Sequence, residues 1–284
     1  CNRYEMFRLA GYEQASFSND ADLVFIIDNS PSMEEEATAL AQNFGVFIDT
    51  LTTTGALPEG SSSDALDAYI QYTSQRGAFL DYGLAVTTTS ASDPGTTPPG
   101  VAGELVGDPR VIEDTDQDIA GNFQRNLLCQ ATCWNEVDLD PEPNFDCPED
   151  GSTPDTPELI SLNYLDCLCG GINAWAGHCG SGTEEHLESA FLATCRAVDA
   201  ETAPDECTDQ VSPLDATDIN TAEWLRPDST VIFVIVSDEG DGSRRQLLGD
   251  EFPETYMDLM DRFNIRYRFA IIGPNPDTCQ GGAS

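Results

Sequence analysis

Residues 23–33 read LVFIIDNSPSM. The first five are apolar without interruption, and Val24, Ile26 and Ile27 are β-branched. A strand with one wet face alternates apolar and polar residues. A run that is apolar at every position predicts a central parallel strand buried on both faces. The run stops at Asp28, and Ser30 and Ser32 follow at alternate positions. A carboxylate and two hydroxyls at the end of a buried strand are oxygen donors of the kind that hard divalent cations take. Ser32 and Glu35 have the spacing of a capping box. Leu40, Phe44, Phe47, Ile48 and Leu51 then recur at helical spacing, which predicts a helix to about residue 51. Alone, the stretch is equally a strand followed by a well-capped helix. Its chemistry depends on what the rest of the chain brings to the same edge.

Outward from it, strands and helices alternate. Residues 79–89 read as a strand with Tyr82, Gly83, Leu84, Ala85 and Val86 at its core, 110–112 as a short strand and 119–128 as a short helix. In EEHLESAFLATCRA, residues 184–197, the side chains Leu187, Ala190, Phe191, Ala193 and Cys195 favour one side of a helix. Glu184 and Glu185 fall in its first turn, where the helix dipole favours anions. VIFVIV at 231–236 is a second fully apolar strand, and it too ends in a hydroxyl and a carboxylate, Ser237 and Asp238. Pro253 suits the first position of a helix that carries Tyr256, Met260 and Phe263 on its apolar side. Residues 265–272 read as a further strand, while 54–64, 90–107 and 203–227 read as loops. This order predicts an α/β domain of three layers, doubly wound around a mostly parallel sheet. Such sheets bind ligands beyond the carboxyl ends of their strands.

The charge narrows the partners. The chain of 284 residues carries 51 acidic and 12 basic residues, a net charge of −39. All the basic residues are Arg. Such a surface repels nucleic acid and anionic membranes and favours cations. No apolar run approaches the roughly 20 residues of a membrane-spanning helix.

The ten cysteines are scattered rather than paired in metal knuckles. With only two His in the chain, they point to disulfides and an oxidising compartment. Six of them fall within 129–179, around an acidic, Pro-rich middle, and predict a disulfide-stapled insertion. Residues 1–20 read as a polar tether. Cys at the first position resembles the start of a mature bacterial lipoprotein, with Cys1 as the lipidated residue; a disulfide at Cys1 is the alternative reading. Membrane attachment is expected only through that lipid. The expected location is extracytoplasmic, at the cell surface, on the outer membrane or secreted. With Cys1 lipidated, nine cysteines remain, and one, such as Cys279, lacks a partner within the chain.

Asp28, Ser30 and Ser32 match the DxSxS motif of von Willebrand factor type A domains, and the chain resembles secreted bacterial members of that family over about residues 22–274. In that family the motif forms a metal-ion-dependent adhesion site, completed by a Thr before a helix and an Asp after a buried strand. Thr183, in GSGTEEHLESA, and Asp238, in VIFVIVSDEGD, fit those roles by position. The resemblance therefore implies a site of Asp28, Ser30, Ser32, Thr183 and Asp238 for a divalent cation, Mg²⁺ or Ca²⁺ with Mn²⁺ accepted. It implies a binding module rather than an enzyme, taking a carboxylate of a protein or glycan partner. The alternative is a structural subunit of a surface filament or envelope assembly. The domain expected is 21–284 with 129–179 inserted. The family pattern has a further helix and edge strand after the segment matched by 265–272, so the C-terminal end of the fold is expected to be missing from this sequence. Pro31 stands where many members have Gly, which stiffens the loop.

Other acidic groups read more weakly. Asp114, Asp116 and Asp118 alternate as in a calcium loop, but Ile119 stands where such a loop needs Gly. Asp138, Asp140 and Asp146 are a second group of this kind. Glu239 and Asp241 crowd the expected site or sit in solvent. His178 and His186 lack the spacing of a metalloprotease helix, and no Ser-His-Asp set is evident.

Overall fold

The computed structural model describes residues 20–30, 33, 40, 81–91, 101–131, 137–138, 160–161, 184–243, 245 and 254–273. Seven strands lie among them: β1 (Asp20–Ile27), β2 (Asp81–Thr88), β3 (Val106–Glu113), β4 (Val137–Asp138), β5 (Ile160–Ser161), β6 (Thr230–Val236) and β7 (Arg266–Ile272). Three α-helices accompany them: α1 (Ile119–Ala131), α2 (His186–Ala197) and α3 (Glu254–Arg262).

The main sheet has five strands in the order β3-β2-β1-β6-β7. β1 pairs in parallel with both β2 and β6, and β6 pairs in parallel with β7. Among the described strands of this sheet only β3 is antiparallel, joined to β2 with a register shift at Ala85/Val86. The sheet is therefore mixed and mostly parallel, with β1 at its centre.

The uninterrupted apolar run of β1 is explained by what lies on either side of it. Leu23, Phe25 and Ile27 face one core, shared with Phe123 and Leu127 of α1. Val24 and Ile26 face the other, shared with Phe191 of α2 and Tyr256, Leu259 and Met260 of α3. The period of two along a strand sends alternate side chains to opposite faces, so a strand covered on both faces must be apolar throughout. β6 divides in the same way: Val234 and Val236 face the first core, and Val231, Phe233 and Ile235 face the second. Ring contacts knit both layers, Phe25 against Phe123 at 4.8 Å and Phe191 against Phe263 at 5.5 Å between centroids.

Loops are pinned as firmly as elements. The chain turns at Gly103 with φ 71°, and a Cβ there would lie 2.3 Å from the Ala193 nitrogen, so only glycine lets this loop rest on the backbone of α2. The segment 203–227, expected to be polar loop, contains a 3-10 turn at Asp205–Thr208 and buries Cys207, Leu214, Ile219 and Trp224. A disulfide joins Cys207 to Cys195 of α2, the one disulfide among the described residues. The lower edge of the sheet is closed by Arg226. Its Nε donates to Asp22 at 2.7 Å, its Nη2 donates to the Ala21 carbonyl at 3.0 Å, and it forms a salt bridge with Asp81.

β3 is longer than the strand expected at 110–112, because it includes Val106 and Gly107, which read as the end of a loop, and Asp108, Pro109 and Glu113. It is the outer antiparallel strand of the sheet, where polar residues and Pro are tolerated. Glu184 and Glu185 precede α2 rather than forming its first turn. The helix expected to end near residue 51, most of the 129–179 insertion, Pro253 and Cys1 lie outside the described residues. Among the described residues no helix is long and apolar enough to cross a membrane.

Candidate metal centre

The parallel register brings the strand ends into one row. Ile27 pairs with Thr88 on one side and Val236 on the other, and Val236 pairs with Ile272. The slanted ladder continues one residue further: Thr89 N donates to Ile27 O at 3.0 Å, Asp28 N to Val236 O at 2.9 Å, and Ser237 N to Ile272 O at 3.2 Å. Asp28 thus stands at the centre of the carboxyl edge, between Thr89 and Ser237. The strands that follow β1 in sequence, β2 and β3, lie on one side of it and the later β6 and β7 on the other, the arrangement that opens a crevice at the carboxyl edge of open α/β sheets.

Asp28 is fully buried. Its Oδ1 accepts the Ser30 amide at 2.9 Å, an Asx turn that ends the strand. Its Oδ2 accepts the Ser237 hydroxyl at 2.6 Å, and that hydroxyl in turn accepts the Glu239 amide at 3.0 Å. Asn29 and Ser30 are also buried, and the Asn29 amide oxygen accepts the Ser90 hydroxyl at 3.1 Å.

The segment before α2 docks on the same edge. Glu185 N donates to Thr89 O at 2.9 Å, and Glu184 O accepts Gly242 N at 2.6 Å. The N-cap residue, Glu185, makes no capping bond with its side chain. The loop after β6 caps the helix instead: Asp241 Oδ2 accepts Leu187 N at 3.3 Å, and Ser243 Oγ accepts Glu188 N at 3.0 Å. Asp241 also holds Ser243 through its amide at 2.8 Å and its hydroxyl at 2.5 Å. Asp241, half-buried, secures the helix start to the β6 loop.

A buried ion pair anchors that loop from behind. Arg245 donates through Nε to Glu188 Oε2 at 3.0 Å, through Nη1 to Asp209 at 2.7 Å, and through Nη2 to the Glu206 carbonyl at 2.8 Å. Glu188 Oε2 also accepts the Tyr256 hydroxyl at 2.5 Å, and the guanidinium lies 4.9 Å from the centre of the Phe191 ring. Burial raises the Glu188 carboxyl above its ordinary value, against the opposing pull of Arg245 and Tyr256.

The charge at the edge is one-sided. Glu184 is 4% exposed and its Oε1 has no hydrogen-bond partner. Burial first, then the charge of Asp28, pushes its carboxyl up to about 7. Among the described residues, no Arg forms a salt bridge with Asp28 or Glu184. His186 is buried and held below its ordinary value by that burial, opposed by Asp241 and Asp28, and its Nε2 has no partner. The hydroxyls of Thr88 and Thr89 are buried without partners. A group of oxygen atoms sealed from water, with negative charge in excess and no Arg salt bridge to Asp28 or Glu184 among the described residues, is suited chemically to a hard cation.

Of the residues expected to ligate, Asp28 and Ser30 come together at the edge. Asp238 is exposed and lies beside Ser237 at the end of β6. Ser32 and Thr183 lie outside the described residues. Among the described residues no three His, Cys, Asp or Glu side chains form a ready metal cluster; the expected set contains only two carboxylates. Glu184, His186 and Ser237 were not picked as functional from the sequence. Ser237 carried a signal, a hydroxyl directly at the end of a buried strand, whereas Glu184 read only as an anion in the first turn of a helix and His186 only as an imidazole without metalloprotease spacing. The Asp114–Asp118 group holds its own backbone: Asp116 accepts Glu113 N at 2.8 Å and Asp118 caps α1 by accepting Gly121 N at 3.2 Å.

No family model matches the chain, and neither a curated protein nor a solved structure matches it.

Proposed function

We propose that this chain is a divalent-cation-dependent binding module of the von Willebrand factor type A kind, outside the cytoplasm, that takes a carboxylate of a protein or glycan partner. The observation that carries the reading is the position of Asp28: fully buried, at the centre of the carboxyl edge, tied to Ser30 and Ser237, and facing a second buried carboxylate. The five-stranded order with one antiparallel outer strand is compatible with it. Asp28, Ser30, Ser32, Thr183 and Asp238 would hold the ion, Mg²⁺ or Ca²⁺ with Mn²⁺ accepted. When bound, the ion supplies a Lewis-acidic position for the partner's carboxylate. The chain's own part is to orient the hydroxyls: Asp28 does so by accepting from Ser237 and from the Ser30 amide.

One observation favours a second reading, a subunit of a surface assembly. β7 is the outermost described strand on its side, and Ile271 and Ile272 are 74% and 52% exposed. Exposed apolar residues on an outer strand are where another chain pairs. The two readings separate on a protein and glycan array probed with the full chain. Adhesion predicts retention in Mg²⁺ or Ca²⁺ that is lost with chelator and in Asp28→Ala. Retention indifferent to chelator sinks the cation-dependent reading. A chelator that dissolves oligomers while no array feature is ever retained favours assembly.

A further inference from the structure

The structure assigns Glu184 a role that the sequence motif does not include. We propose that its carboxylate is a direct ligand of the same cation, adding a second buried carboxylate to Asp28. The inference rests on the cation-binding reading above and specifies its buried carboxylates as Asp28 and Glu184; together with exposed Asp238 they do not form a ready three-carboxylate cluster.

Three geometric facts carry it. Main-chain bonds hold the Glu184 segment at the centre of the carboxyl edge, Glu185 N on Thr89 O and Gly242 N on Glu184 O, and Thr89 in turn donates to Ile27, the residue before Asp28. Glu184 is 4% exposed, and unlike the equally buried Glu188 and Asp22 it has no Arg partner among the described residues. Its Oε1 is sealed from water without a donor. A buried carboxylate oxygen is ordinarily satisfied by an amide, a hydroxyl or a guanidinium, and leaving one bare is unfavourable. A cation at the edge supplies the missing partner and offsets the repulsion between Glu184 and Asp28.

The competing account is a protonated Glu184 paired with Glu239, which faces it across the edge. In that case the proton, not a metal, satisfies the burial. Glu184→Gln separates the two, because the amide preserves shape and hydrogen bonding but cannot serve as an anionic ligand.

The test is calorimetric titration of the full chain with CaCl2 and with MgCl2, for the natural sequence, Glu184→Gln, Glu239→Gln and Asp28→Ala, with cation-free thermal unfolding of each as the check on folding. The expected result is binding by the natural chain, weakened about tenfold or more in Glu184→Gln, and close to unchanged in Glu239→Gln. Cation-free Glu184→Gln should unfold at the same or a higher temperature than the natural chain at pH 8, since a charge repulsion is gone. Equal affinity in Glu184→Gln and the natural chain overturns the ligand role of Glu184 while leaving the cation site standing. Binding lost equally in Glu184→Gln and Glu239→Gln also overturns it, because charge at a distance would then explain the effect. No binding by the natural chain overturns the cation reading itself.

Discussion

The hydroxyl of Ser237 donates to Oδ2 of Asp28 at 2.6 Å, joining residues 209 apart in sequence at the ends of adjacent strands. A hydrogen bond to a buried charged oxygen contributes more than an average one, about 1.5–3 kcal/mol. Ser237→Ala is therefore expected to cost about 2 kcal/mol in cation-free protein, measured by urea unfolding. Asp238→Ala, at an exposed position, is expected to cost under about 0.5 kcal/mol in the same experiment. If Asp238→Ala is the more damaging in cation-free protein, the assignment of the structural role to Ser237 is wrong.

Arg245 is 4% exposed and Glu188 is fully buried, so neither charge can turn to water when its partner is removed. Arg245→Met alone is expected to destabilise by about 3–5 kcal/mol, because Glu188 is left buried and unpaired. Adding Glu188→Leu should recover much of that loss. The double-mutant cycle in urea is the measurement, and simple additivity would show that the two groups do not act as a pair.

The disulfide Cys195–Cys207 spans 12 residues and ties α2 to the turn that accepts Arg245. A closed loop of this size stabilises by about 2–3 kcal/mol in the chain-entropy account. Reduction, or Cys195→Ala with Cys207→Ala, is expected to lower the melting temperature by several degrees. Because Arg245 binds Glu206 and Asp209 on either side of Cys207, the loss should extend to the β6 loop, read as faster amide exchange at Gly242 and Ser243.

Much of this fold could be read from two apolar runs. Residues 23–27 and 231–236 are apolar at every position because both faces of those strands are covered. β3 was legible only at Arg110, Val111 and Ile112, since an outer antiparallel strand keeps polar residues on its open face and can carry Pro109. The burial of Trp224 and Leu214 was hidden within a polar stretch, because a few apolar anchors suffice to pin a loop and leave no period. At the edge, Asp28 and Ser30 were legible from spacing. Glu184 and His186 were not: their burial follows from backbone bonds to Thr89 and Gly242, contacts between segments far apart in the chain. Likewise, the cap of α2 comes from Asp241 and Ser243 in another loop, so no local rule around residue 183 could have named it.

In cation-free protein the Glu184 carboxyl is pushed from an ordinary 4.5 up to about 7, first by burial and then by Asp28. The sign of the stability change follows from proton counting. Between about 4.5 and 7 the folded chain holds a proton that the unfolded chain has released, so stability falls as pH rises through that window. The contribution is fully present below 4.5 and gone above about 7. Stability curves from urea unfolding in chelator, compared between the natural chain and Glu184→Gln, are expected to diverge in this direction: the natural chain loses stability relative to the variant from pH 5 to pH 8. Parallel curves would show that Glu184 ionises as freely as a surface residue, and the one-sided charge at the carboxyl edge would then have to come from elsewhere.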